Sequence, residues 1–314
     1  MAKNRVHDKE DAVRSTTIYQ RTAQDVALGF LRGIADFFKL MAHNKVGFFG
    51  FIIIVFYFAV SFLGPFFIPL DNETKLDRIF EPPSWKHPLG MDHQGRDVFS
   101  QVVNGGRDIL TTALLTAVIS TIIGITLGAL SAVVGGGVDN FLVMFSDVFM
   151  AIPRFPLLVV LAGFIYVGSM MILSVILALL TWPGLFRAVR AQVLSLRERD
   201  YVEAAVGLDL SIWHIIFREI LPNMMSYIAI SFAFSMTGAI YAQTGLVFLG
   251  LVPFSTSNWG VMINIAWTRG NIFYKDAALY ILAPVFTIAI FQLAMVWMTR
   301  SLEEVFNPRL RTEV

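Results

Sequence analysis

The stretch FLVMFSDVFMAIPRFPLLVVLAGFIYVGSMMILSVILALLTWPGLF, residues 141–186, decides how this chain is threaded. It runs for 46 residues with two charges, Asp147 and Arg154, near its start and Gly168-Ser169 in its middle. About 20 apolar residues suffice to cross roughly 30 Å of hydrocarbon, so the stretch holds either one span or two. Four other segments leave no such choice: Val46–Leu70, Ile109–Val134, about Met225–Leu251 and about Ala277–Met298 are each long and almost free of charge. With 56% hydrophobic residues and a mean hydropathy of +0.67, the 314-residue chain is expected to be an all-α protein of the lipid bilayer.

Lysine and arginine near span ends favour the cytoplasmic side, and their distribution separates the two threadings. With six spans and an internal N-terminus, the inner segments carry eight (residues 1–45), five (187–222) and three (299–314), against five and two in the outer loops. Sixteen against seven satisfies the rule. A five-span threading would place the five arginines of 187–222 outside, and the last three with them. Six spans with both termini cytoplasmic is therefore the expected topology, in a prokaryotic inner membrane.

Within that topology Asp147 and Arg154 fall in or beside the third span. Seven residues apart, they would share one helix face and could form a polar seam toward protein or a water-filled path. Alternatively both sit at the cytoplasmic headgroup level, with the arginine snorkelling. Pro153 and Pro156 predict a kinked start to this region, and Pro183 a kink in the fourth span.

The ends are expected to be simpler. Residues 1–45 are too long and too charged for a secretory signal, and the first apolar run is a full span, so it reads as a retained anchor. Leu28, Leu31, Ile34, Phe37, Phe38 and Met41 recur at helical spacing and predict a helix lying on the membrane surface.

A net charge of +1, with no basic cluster interleaved with aromatics, points away from nucleic acid. The absence of cysteine excludes disulfides, iron–sulfur clusters and thiol catalysis. No GxxxxGK[ST] and no HExxH occurs, so the chain is expected to be no enzyme, with no catalytic residue, cofactor or metal of its own, and its energy must come from a partner. His87, Asp92 and His93 are close in sequence but lack the ligand spacing of a metal site. His87-Pro88-Leu89-Gly90 and Gly95 are better read as turn formers, and Asp97–Val103 as a short interfacial helix.

The longest inner loop, 187–222, is not built like a solvated linker. Val202, Ala205, Val206 and Asp209 recur at helical spacing, predicting a helix from about Arg199 to Leu208 with a face of small side chains. A second run, Ile212, Ile215, Ile216 and Ile220 with Trp213 and Phe217 beside it, ends at Leu221-Pro222. Small residues permit close approach, either to a partner or to the membrane surface and the other spans.

The order Glu203-Ala204-Ala205, a turn, then Ile220-Leu221-Pro222 resembles the cytoplasmic EAA loop of ABC importer permeases, whose first helix docks in a cleft of the ATPase subunit. HPLGMDHQGRDVFSQVVNGGRDIL (87–110), GLVFLGLVPFSTSNWG (245–260) and LEEVFNPRLR (302–311) are similar to the C-type subunits of oligopeptide and dipeptide permeases. The resemblance covers the chain from about residue 35. It implies the type I importer fold, with a tail to residue 45, a first span at 46–70, an extracytoplasmic loop at 71–106, a five-helix core at 107–301 enclosing the coupling loop, and a tail at 302–314.

The resemblance also implies partners: a homologous second permease, two ATPase subunits that bind ATP and Mg, and an extracytoplasmic solute-binding protein. ATPase coupling is assigned on the same ground to Tyr201, Glu203, Ala204, Ala205, Gly207 and Asp209. Peptides are the implied cargo, with oligosaccharides or nickel chelates carried by related permeases. A channel without ATPase partners, or a membrane enzyme using Asp147 and Arg154, is the reading from another class. Two departures stand out. Asp209 occupies the place of a family glycine, four residues after the second alanine, and is expected to tolerate left-handed backbone and to cap the following helix. Asn307 stands where an aspartate is usual before proline.

Overall fold

The helices follow from apolar runs that must satisfy their backbone polar groups internally once they are in lipid. The computed structural model describes residue 39 and residues 41–164, 169–252, 258–269 and 275–306. Among them, regular structure is helical except for one antiparallel bridge between Met91 and Asp97. Most of the surface helix expected at 28–41, and the 307–311 part of the C-terminal motif, lie outside the described residues.

Helix α1 (Lys45–Phe67) begins at Asn44, whose side chain accepts a hydrogen bond from the Gly47 amide. Helix α2 (Val98–Val134) is capped by Asp97, whose carboxylate accepts from the Phe99 amide. The short interfacial helix expected at 97–103 is therefore no separate element. It is the first turns of a 37-residue rod, with Val98 and Val103 buried, because nothing at 104–108 breaks the helix. Helices α3 (Gly136–Ala151) and α4 (Arg154–Phe164) are bent by 82° against each other. Helix α5 (Met170–Arg197) continues through Pro183. After the short α6 (Asp200–Gly207), a turn of helix at Ile212–His214, a π turn at Ile215–Ile220 and a 3-10 turn at Leu221–Met224 lead into α7 (Met225–Phe248). Helices α8 (Trp259–Thr268) and α9 (Ala278–Phe306) complete the chain.

Among the described residues five helical segments are long and apolar enough to cross a membrane, and the bent pair α3–α4 makes a sixth when it is counted as one broken span. The break comes at Ile152-Pro153, where proline cannot continue α3, while Pro156 is tolerated in the first turn of α4. On that count the stretch 141–186 holds two crossings, the first of them broken.

The α2 and α5 helices pack parallel, Thr116 meeting Ser174 at one end and Ala132 meeting Arg197 at the other, with their backbones close together. A Cβ on Gly128 would lie 2.7 Å from the Phe186 carbonyl oxygen, and one on Gly124 would lie 2.8 Å from Leu185. These glycines supply the room, as small residues do at membrane helix contacts. Thr116 Oγ1 donates to the Ser174 carbonyl at 3.3 Å, and Arg197 donates to the Ala132 carbonyl at 3.2 Å, so the pair is tied along its length.

Candidate coupling and translocation site

The first part of the site is the loop joining α5 to α7. Val202 and Ala205 of α6 are 1% and 5% exposed and pack with Val193, Ile215, Ile216 and Ile220, together with Ala129 and Ala132 of α2. The small-residue face is thus covered by the chain itself. Ala205, expected at an open docking surface, is a core position, because the isoleucines of the π turn fold back onto it. The outward face carries Glu203, Ala204 and Gly207, followed by Leu208 at 73% exposure. Tyr201 lies on α6, but its side chain is outside the described set.

Asp209 has φ +54°, a left-handed conformation that non-glycine residues rarely adopt, with Asp among the exceptions. The tight turn therefore survives with aspartate in the family's glycine position. The Leu210 amide closes the turn on the Ala205 carbonyl at 3.2 Å. The next helical turn is capped by Ser211, whose Oγ accepts from the His214 amide at 3.3 Å, not by Asp209 as expected from sequence. Gly207 ends α6 with open space where a side chain would be.

The second part is charged. Asp147 does not share a seam with Arg154, because the 82° break falls between them. Its carboxylate meets the Arg187 guanidinium of α5. One level nearer α6, Asp139 accepts two hydrogen bonds from Arg190 at 2.5 Å each and another from Ser131. Two arginines three residues apart on α5 thus hold two aspartates of α3. The i,i+3 spacing of Arg187 and Arg190 was the sequence cue for these partners, but it read equally well as a flank of positive charge at a span end. Arg154 is exposed and lies beside Gly184.

The third part is the loop before α2. Gly90 and Gly95 have φ +71° and +70°, so both form the left-handed turns expected of them. Between them Asp92 is fully buried. Its carboxylate accepts from the Gln94 and Arg96 amides at 2.8 and 2.9 Å, from Arg96 Nε at 2.9 Å and from Gln101 Nε2 at 2.9 Å. His87 turns to Asp97 at 3.6 Å, while the His93 ring lies against Tyr280 with centroids 5.7 Å apart. Burial lowers the His93 pKa, with nearby Asp92 opposing, so the ring is neutral at neutral pH. Trp259 donates its indole N–H to the Val102 carbonyl at 2.8 Å, joining α8 to the start of α2. The Asp92 network is a hydrogen-bonded lock that holds this loop to the start of α2.

Residues 124–312 match the family described as binding-protein-dependent transport system inner membrane component, and residues 34–83 match the N-terminal TM domain of oligopeptide transport permease C. A Brucella ovis protein named as a peptide permease is 34% identical over 268 residues, 85% of this chain and 88% of the relative, and a Brucella suis protein so named matches equally. The dipeptide transport system permease protein DppC of Bacillus subtilis is 30% identical over 304 residues, 93% of this chain and 90% of the relative. The chain belongs to the family of binding-protein-dependent transport system inner membrane components, in its oligopeptide and dipeptide permease branch.

Proposed function

We propose that this permease forms half of the translocation path of an ATP-driven peptide importer, the other half being a homologous permease. In this reading both termini and the α5–α7 loop are cytoplasmic. Two ATPase subunits bind ATP and Mg below, and a solute-binding protein delivers cargo from the outside. The peptide assignment rests on the names of the relatives.

The observation that carries the reading is the construction of the α5–α7 loop. A short helix offers Glu203, Ala204, Gly207 and Leu208 outward while its inner face is cemented to α2, α5 and the start of α7. Force applied to such a helix moves three spanning elements together, since packed apolar side chains transmit displacement rather than absorb it. ATP-driven closure of the ATPase pair would swing these helices and turn the path from inward-facing to outward-facing, which is alternating access. Hydrolysis would reset it. Substrate choice would lie mainly with the binding protein.

The test is a bulky residue on the outward face. Ala204→Trp should leave the permease inserted and folded yet reduce copurifying ATPase subunits at least about fivefold, as expected when one overfilled contact costs roughly 1–3 kcal/mol. Retention of the ATPase subunits and of transport at wild-type levels would show that α6 is only a surface-resting segment.

A further inference from the structure

Arg154 has an exposed guanidinium that makes no hydrogen bond or ion pair with any described residue. The other charge of the stretch 141–186, Asp147, is neutralised by Arg187. Around the α3–α4 break, then, Asp147 and Arg187 cancel, and Arg154 has no acidic partner among the described residues. The depth follows from its neighbour: a Cβ at Gly184 would meet Arg154 Nη2 at 3.8 Å and nothing closer. Gly184 lies fourteen residues after Met170, about 21 Å along α5, within a helix long and apolar enough to cross a membrane. An unpaired cation at that depth is disfavoured against lipid and faces protein or a water-filled cavity.

We propose that Arg154 is the cation of the translocation path that receives the carboxylate of passing cargo. The proposal rests on the peptide-importer reading and names the group recognised within it. Every unmodified peptide ends in a carboxylate, whatever its side chains. A guanidinium matches that group with two parallel hydrogen bonds and stays charged at any physiological pH. The paired Asp147 and Arg187 add no net charge, so the local field attracts an anion. Such a site suits a path that must accept many sequences, because it reads only what they share.

The chain has no cysteine, and position 184 has room for one. In the assembled transporter in nanodiscs, Gly184→Cys is reacted with an anionic (sulfonatoethyl) and a cationic (trimethylammonioethyl) methanethiosulfonate, with Arg154 intact and with Arg154→Gln. The anionic-to-cationic rate ratio should fall about tenfold on loss of the arginine, the size of one charge-assisted interaction. A thiol that neither reagent reaches, or an unchanged ratio, overturns the proposal, the latter placing Arg154 against an acidic group of the second permease. In proteoliposomes, uptake of trialanine relative to trialanine amide should fall about tenfold in Arg154→Gln and be kept in Arg154→Lys. The same binding protein serves both variants, so its own preference cancels. An unchanged acid-to-amide ratio rejects the carboxylate role. A wild-type transporter that carries neither peptide refutes the peptide reading instead, and the labelling ratio still decides whether a cation faces the path.

Discussion

Asp92 and Asp147 each face an arginine, and the two sites differ in almost everything else. The Asp92 carboxylate is wholly buried, its Arg96 partner is 8% exposed, and four donors surround it. Asp147 and Arg187 are 50% and 45% exposed. A buried carboxylate stripped of its partner is left as an uncompensated charge in a low dielectric, whereas an exposed one is rehydrated. The same pair of functional groups is therefore a lock at one place and a soft contact at the other. The soft contact sits where α3 breaks and where the path is proposed, which is where a transporter must rearrange.

The largest effect should come from breaking the lock. Asp92→Ala is expected to cost about 3–5 kcal/mol, read as denaturant stability of the purified permease, with the double change Asp92→Leu/Arg96→Met recovering much of it. A double variant no more stable than the single one would mean that Arg96 is held by other groups.

Next is the close contact of α2 and α5, the rigid element beside the soft one. Gly128→Leu should cost about 1–3 kcal/mol, because its Cβ would lie 2.7 Å from a backbone carbonyl that cannot step aside. Gly137→Ala, with open space around it, is the control, and equal thermal shifts for the two would remove the steric argument.

The soft contact itself should contribute at most about 1 kcal/mol. A double-mutant cycle of Asp147→Ala with Arg187→Ala should show coupling of that size, while Asp147→Ala with Arg154→Ala should be additive. Coupling in the second cycle and none in the first would reverse the pairing described here.

The smallest effect concerns His93. Burial lowers its pKa, with Asp92 opposing and the Arg269 and Arg96 charges adding to the lowering. The unfolded chain, with the ordinary histidine value near 6.5, then binds the proton more readily than the folded one. Stability should be full above about pH 6.5 and decline as pH falls through the depressed folded value. His93→Gln should flatten that part of the melting profile in acid, and a profile unchanged by the substitution would place the titration elsewhere.

Much of this was legible without coordinates. Membrane solubility and backbone satisfaction leave apolar runs little choice but helices, so the long apolar helices could be found from hydropathy, while the arginines gave only the expected direction of the chain. The α6 helix and the turn at Asp209 were legible because local spacing and local backbone preference determine them. What could not be read were the partners of side chains. A seven-residue interval puts Asp147 and Arg154 on one face only if the helix between them is continuous, and Pro153 ends it. Proline announces a break in the helix but neither its angle nor the neighbour it turns toward.

By itself, then, the sequence determined an all-α membrane protein of the permease family, with a short helix and turn in the 187–222 loop, since these depend on composition and on residues close in the chain. Only the tertiary structure decided that Ala205 is core and Ala204 surface, that Arg187 takes Asp147, and that Arg154 is left beside Gly184 with its charge unmatched by any described residue. Each of those depends on which elements meet across long stretches of chain. Periodicity states that a helix has a face to cover, and packing alone settles what covers it.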